Sequence, residues 1–218
     1  TPGKKKEKKD NLEVPRIGIR FHIPQDMNIV EYFGRGPEEN YIDRNAGSMV
    51  GRYKTIADSM YVDYVRPQEN GHRTDTRWVV LSDKSGRGLL VQAENTIGFN
   101  ALRNTIEDFD AEDSSRPYQW RNRSPEEIEN HDLDEAKNAM RKMTHVNDII
   151  PRDFVEVCVD MKQQGVAGYD SWGAKVQPGY TIPANQNYEW GFTFVPIRAK
   201  ADVDRLRNLV VRVRIDTY

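Results

Sequence analysis

The stretch Arg16-Ile17-Gly18-Ile19-Arg20-Phe21-His22-Ile23 carries an apolar residue at every second position. Side chains of an extended chain point alternately to opposite faces, so this spacing predicts a half-buried strand. The pattern returns further on. Val155, Val157, Val159 and Met161 alternate with Glu156, Cys158 and Asp160. Tyr188, Trp190, Phe192 and Phe194 form a third set, and Leu209, Val211, Val213 and Ile215 a fourth, with Arg212 and Arg214 on its wet face. Shorter candidates lie at 29–33, 60–65, 77–82 and 88–93. Many short strands broken by Gly, Pro and Asn turns predict an all-β fold, an antiparallel sandwich. One interruption is helical. Ser124-Pro125-Glu126-Glu127 reads as a capping box with Pro at the first helical position. Ile128, Leu133, Ala136 and Met140 supply an uneven apolar stripe after it, so one or two short helices are expected within 125–143.

Composition narrows the classes. The chain has 218 residues, 37% hydrophobic and 30% charged, with a mean hydropathy of -0.80. That length buries a core without disulfides or a metal. No apolar run approaches the roughly 18 residues of a membrane span, so no membrane partner is expected. Lys+Arg is 32 against 34 for Asp+Glu, a net charge of -2, which argues against a nucleic-acid partner. Cys158 is the only cysteine and excludes an intrachain disulfide. The compartment stays open between cytoplasm and periplasm. The N-terminus, TPGKKKEKKD, has neither an initiator Met nor an apolar signal region and is expected to be cut from something longer. Residues 1–14 read as a charged linker rather than a basic arm. Residues 15–197 form the body, and 198–218 an extension with a final strand.

No catalytic set is legible. His22, His72, His131 and His145 have no i,i+4 partner, and no CxxC or HExxH occurs, so no metal site is predicted. There is no G-x-S-x-G, P-loop or G-x-G-x-x-G. Cys158 sits inside a strand pattern and reads as a small packed residue, not a nucleophile. Carboxylates are plentiful, but glycoside hydrolysis needs two of them at a set separation, which one-dimensional order does not supply. Two turn-rich stretches, 34–44 and 67–75, are dense in charges that can pair. Glu39, Asn40, Asp43, Arg44, Glu69, Asn70 and Arg73 are read as a structural network fixing loop geometry, in preference to a polar ligand site. In a third stretch, 165–173, Trp172 is flanked by glycines. A loop Trp offers a flat apolar face, and both sugar stacking and simple loop packing remain open for it. Trp78 and Trp190 read as core, and Trp120 as either.

GRGPEENYIDR at 34–44, YVRPQENGHRTDTRW at 64–78 and YDSWG at 169–173 resemble the C-terminal, small-chain domain of glycoside hydrolase family 2 β-galactosidases. PRIGIRF at 15–21 and PRDFVEVCVDMKQQGVAG at 151–168 are similar to the same domain in the same order. The resemblance runs from about 15 to about 196 and fades after about 197. It implies an antiparallel β super-sandwich of galactose mutarotase-like type, of which this chain is a partial domain expected to self-associate. It implies a parent enzyme that is a retaining β-galactosidase. The parent's catalytic glutamates and its magnesium and sodium ligands lie in other domains, so this chain alone is expected to be inactive and cofactor-free. One residue carries over. The family's D-S-W tryptophan stacks on the aglycone sugar and matches Trp172, although Tyr169 stands where the family has Asp.

Three functions remain as alternatives. The first is a non-catalytic β-galactosidase domain that closes the active site and supports assembly, with the catalytic barrel, a β-galactoside and further copies of the chain as partners. The second is a free-standing carbohydrate-binding or mutarotase-like domain, which as an enzyme would need His and Glu convergent in one cleft. The third is a purely structural interaction domain.

Overall fold

The computed structural model describes residues 12–109, 146–169, 173–199 and residue 205. These form an all-β unit. The strands are β1 (Arg16–Pro24), β2 (Ile29–Gly36), β3 (Met49–Ile56), β4 (Arg73–Ser82), β5 (Gly88–Leu102), β6 (Phe154–Gln163) and β7 (Phe192–Ile197). All pair antiparallel in one sheet of order β1-β6-β5-β4-β2-β3, with β7 on β5.

β5 organises the sheet. Its residues 98–102 pair with β6, and its residues 88–93 pair with β7. Between these halves Glu94, Asn95 and Thr96 are exposed, and the register against β4 shifts nearby. Such irregularities bend a strand and raise its twist. Phe21 of β1 meets Phe194 of β7 edge to face, with ring centroids 5.4 Å apart.

Both faces of the sheet are apolar. One carries Val30, Tyr32, Val79, Leu81, Val91, Phe99, Val157 and Val159, all without solvent exposure, under Met60, Tyr61, Phe109, Ile149 and Trp190. The other carries Trp78, Val80, Leu90 and Ile197, with Phe33 and Val195 beside them. A sheet apolar on both faces suits a layered architecture with material on each side.

The alternation at 17–23 and at 155–161 marks β1 and β6. Two other expectations change, and one strand has no counterpart among them. Residues 60–65 are not a strand. The Met60 N–H bonds the carbonyl of Ala57, and the Val62 N–H bonds the Asn70 side chain, so these amides are spent locally. Residues 188–191 precede β7 instead of belonging to it. β3, at one end of the sheet, matches no expected strand: its apolar residues do not alternate, and Met49, Val50 and Ile56 are exposed. The expected helices at 125–143, the strand at 208–215 and residues 1–11 lie outside the described residues. Leu12–Val14 run against 182–184, with Val14 N–H on the Ile182 carbonyl at 2.9 Å.

Candidate functional site

The pairing of β1 with β6 sets Gly18 opposite Asp160, at a register shift between Ile17 and Gly18. A Cβ on Gly18 would come within 2.2 Å of Asp160 Oδ1, so only glycine leaves room for this carboxylate. Arg16 reaches in beside it, with Nε 3.2 Å from Asp160 Oδ1. Its Nη2 donates to Asn100 Oδ1 at 2.9 Å, to Gln163 Oε1 at 2.5 Å and to Glu69 Oε1 at 3.3 Å. Asn100, on β5, donates in turn to Glu69 Oε1 and to the Asn70 carbonyl, both at 3.0 Å. His72 Nδ1 lies 3.3 Å from Asn100 Oδ1 and 3.7 Å from Asp160 Oδ2. Both neighbours are acceptors, so the neutral ring carries its proton on Nδ1.

The cluster's electrostatics come from its burial. Asp160 is solvent-free and neither of its oxygens has an aligned protein donor. Burial pushes its carboxyl up to about 7, with Arg16 opposing and Glu69 adding. Burial pulls His72 down to about 3, helped by Arg16 and Arg73 and opposed by the Asn100 bond. The Cys158 thiol, beside Arg16, is pushed up to about 12 by burial, which leaves no thiolate at neutral pH.

Arg16, Glu69 and Gln163 line a cleft of about 1180 Å³, together with Arg44, Tyr64 and residues 164–168 and 173–176. The loop at 164–168 is held from below. Asp43 Oδ2 accepts the Ala167 N–H at 2.8 Å. Gly165 presses on the same carboxylate, and a Cβ there would lie 2.4 Å from Oδ2. Ala167 adopts a φ of 55°, left-handed for a non-glycine residue. The Gln164 and Gly165 N–H groups bond the carbonyls of Pro15 and Tyr180, both at 2.9 Å. Further on, the Tyr169 hydroxyl donates to the Lys175 carbonyl at 3.2 Å, across 170–172.

A second network ties 34–44 to 60–75. Glu39 Oε1 accepts from Arg44 and from the Tyr64 hydroxyl, and its Oε2 accepts the Gly71 N–H at 2.6 Å. Asn40, without solvent exposure, donates to the carbonyls of Arg35 and Glu38 and accepts from the Thr74 N–H and hydroxyl. Arg73 donates to the carbonyls of Gly71 and Pro37, both at 2.8 Å. Arg35 meets Asp75 at 2.5 Å.

The seven loop residues singled out by sequence thus divide. Glu39, Asn40, Arg44 and Arg73 share one network. Glu69 and Asn70 join the Arg16 cluster, and Asp43 serves the 165–167 loop. Trp172 lies outside the described residues. Sequence reasoning missed Arg16, Asn100, Asp160 and Gln163. Arg16 and Asp160 had one signal, the polar alternate positions of β1 and β6, while Asn100 on β5 and Gln163, in phase with the apolar set of β6, had none. Glu156, Cys158 and Asp160 are buried. Among the described residues no three His, Cys, Asp or Glu side chains form a metal-binding group, and no helix is long and apolar enough to cross a membrane.

A family model described as the β-galactosidase small chain matches residues 3–194. The chain is 35% identical over 185 residues to a β-galactosidase of Priestia megaterium, covering 85% of this chain and 15% of that protein. It is 32% identical over 181 residues to a β-galactosidase of Halalkalibacterium halodurans, covering 83% and 15%. With a β-galactosidase of Streptococcus thermophilus the identity is 29% over 184 residues, covering 84% and 15%. The chain therefore spans about 15% of the length of these relatives.

Proposed function

The chain belongs to the β-galactosidase small-chain family, and we propose that it acts as a non-catalytic domain of a β-galactosidase. On this reading the full-length protein, a retaining family 2 enzyme, hydrolyses terminal β-D-galactosides. It does so with an acid/base and a nucleophile carboxylate contributed by its barrel, where magnesium and sodium are also held. The small-chain domain supplies one wall of the active site through Trp172, whose ring stacks on the leaving-group sugar, and it supports assembly of the oligomer.

The observation that carries this reading is the hydrogen bond from the Ala167 N–H to the Asp43 carboxylate. A loop with a left-handed residue and a tight glycine is held at its base by a half-buried carboxylate. A loop fixed in that way at 165–167 is the rigid support that a binding wall requires. The mutarotase-like alternative is less well supported. His22 and Glu156 are in contact at 3.1 Å, but neither lines the large cleft.

Purified as it stands, the 218-residue chain should not hydrolyse an aryl β-galactoside. Turnover that co-purifies with the chain would place catalytic carboxylates within it and sink the proposal.

A further inference from the structure

We propose that the floor of the cleft, formed by Arg16, Glu69 and Gln163, is a binding subsite for a neutral polyol, taking two adjacent sugar hydroxyls. The subsite goes beyond the role given to Trp172 and requires nothing of that residue.

The free valences of the floor carry the argument. Among the described residues Glu69 Oε1 accepts both of the bonds that reach this carboxylate, from Arg16 and from Asn100. Its Oε2 has no protein donor among the described residues. Gln163 Oε1 accepts from Arg16, while its amide nitrogen has no protein acceptor among the described residues. An open acceptor and an open donor therefore belong to two side chains that bond one guanidinium nitrogen. A hydroxyl both donates and accepts, so adjacent hydroxyls can give one hydrogen bond to Glu69 and take one from Gln163. Among the described residues Nη1 of Arg16 has one hydrogen-bond partner, the Cys158 sulfur at 3.7 Å, and keeps an N–H to spare.

Charge selects a neutral ligand. The guanidinium is already met by Glu69 at 3.3 Å and by Asp160 at 3.2 Å. An anion would face Glu69 and a cation would face Arg16, and burial holds Asp160 toward its neutral form, so the floor carries one charge of each sign. The floor is also preorganised. Gln163 is 8% exposed, Asn100 pins Glu69 from behind, and buried Asp160 fixes the approach of Arg16. Groups held in place before binding lose little entropy on binding. The cleft has room for a disaccharide, and Tyr64 lines it as well.

The test is a lactose titration of the isotope-labelled chain, monitored at the Gln163 side-chain amide, beside lactobionate as a charged counterpart. Lactose should give a saturable shift. Glu69→Gln should weaken it about tenfold or more, the value of a hydrogen bond to a charged group. Trp172→Ala should leave it in place, which separates this subsite from the Trp172 wall. If Glu69→Gln fails to give a folded spectrum, Gln163→Met decides the matter by the same loss, read at the Arg16 Nε–H. Absence of a saturable shift in the wild type would overturn the subsite. So would undiminished binding in the floor variants, equal binding of lactobionate, or loss of the shift in Trp172→Ala.

Discussion

Asp43 Oδ2 accepts the N–H of Ala167 at 2.8 Å, joining the 34–44 loop to the 164–168 loop across 124 residues of chain. The carboxylate does two jobs there. It satisfies an amide in a left-handed turn, and it fills the space beside Gly165. Asp43→Ala should destabilise the fold by about 1–3 kcal/mol, the usual cost of leaving a shielded partner unpaired. Hydrogen exchange should quicken at Ala167 more than at the β6 amides. Uniform quickening along β6 would show that the bond supports the whole sheet and not the loop.

Gly18 should be intolerant of any side chain. Its Cβ would meet Asp160 Oδ1 at 2.2 Å and the Val159 carbonyl at 2.6 Å, and the latter is backbone that has little freedom to move. Gly18→Ala should cost about 1–3 kcal/mol through overpacking. A urea unfolding midpoint equal to that of the wild type would mean that β1 can slide away from β6.

Asn40 is the most heavily bonded side chain of the loop network. Two carbonyls and both polar groups of Thr74 depend on it in a solvent-free position. Asn40→Ala removes all four bonds, leaving the Thr74 hydroxyl with Asn45 alone, and should cost about 3 kcal/mol or more. Thermal unfolding reads this, and a change under about 1 kcal/mol would mean that water takes over the bonds.

The buried pair near Arg16 makes opposing contributions to pH dependence. Folded His72 titrates at about 3 against an ordinary 6.5. Between those values the unfolded chain holds a proton that the fold lacks, so this term stabilises as pH rises. Folded Asp160 titrates at about 7 against an ordinary 3.8. Here the fold holds the extra proton, so this term destabilises as pH rises over nearly the same window. Relative to wild type, Asp160→Asn should therefore gain stability with rising pH from about 4 to about 6.5, and His72→Asn should lose it. The limiting slope is about 1.4 kcal/mol per pH unit in each case. Urea midpoints across the window check both signs, and parallel curves for all three proteins would refute the linkage.

The all-β class was legible because β1 and β6 alternate cleanly, and the family was legible in the motifs at 34–44, 64–78 and 169–173. β3 was not, because its apolar residues Met49, Val50 and Ile56 are exposed and do not alternate, so burial left no period of two in its sequence. Alternation also says which side chains share a face without saying whether that face meets water. Glu156, Cys158 and Asp160 share a face that meets other protein groups. The cluster of Arg16, Asn100 and Asp160 joins β1, β5 and β6 through strand register, which short-range spacing does not encode. Asp43 escaped a functional reading for a different reason. Its partner is a backbone N–H, which has no side-chain signature.

The measurement to make is the kinetics of the full-length β-galactosidase carrying Trp172→Ala, with lactose and an aryl β-galactoside in parallel. Removing the stacking face should lower kcat/KM for lactose about tenfold more than for the aryl substrate, because the glucose leaving group loses its platform. Equal losses on the two substrates would contradict the role of this domain as the leaving-group wall.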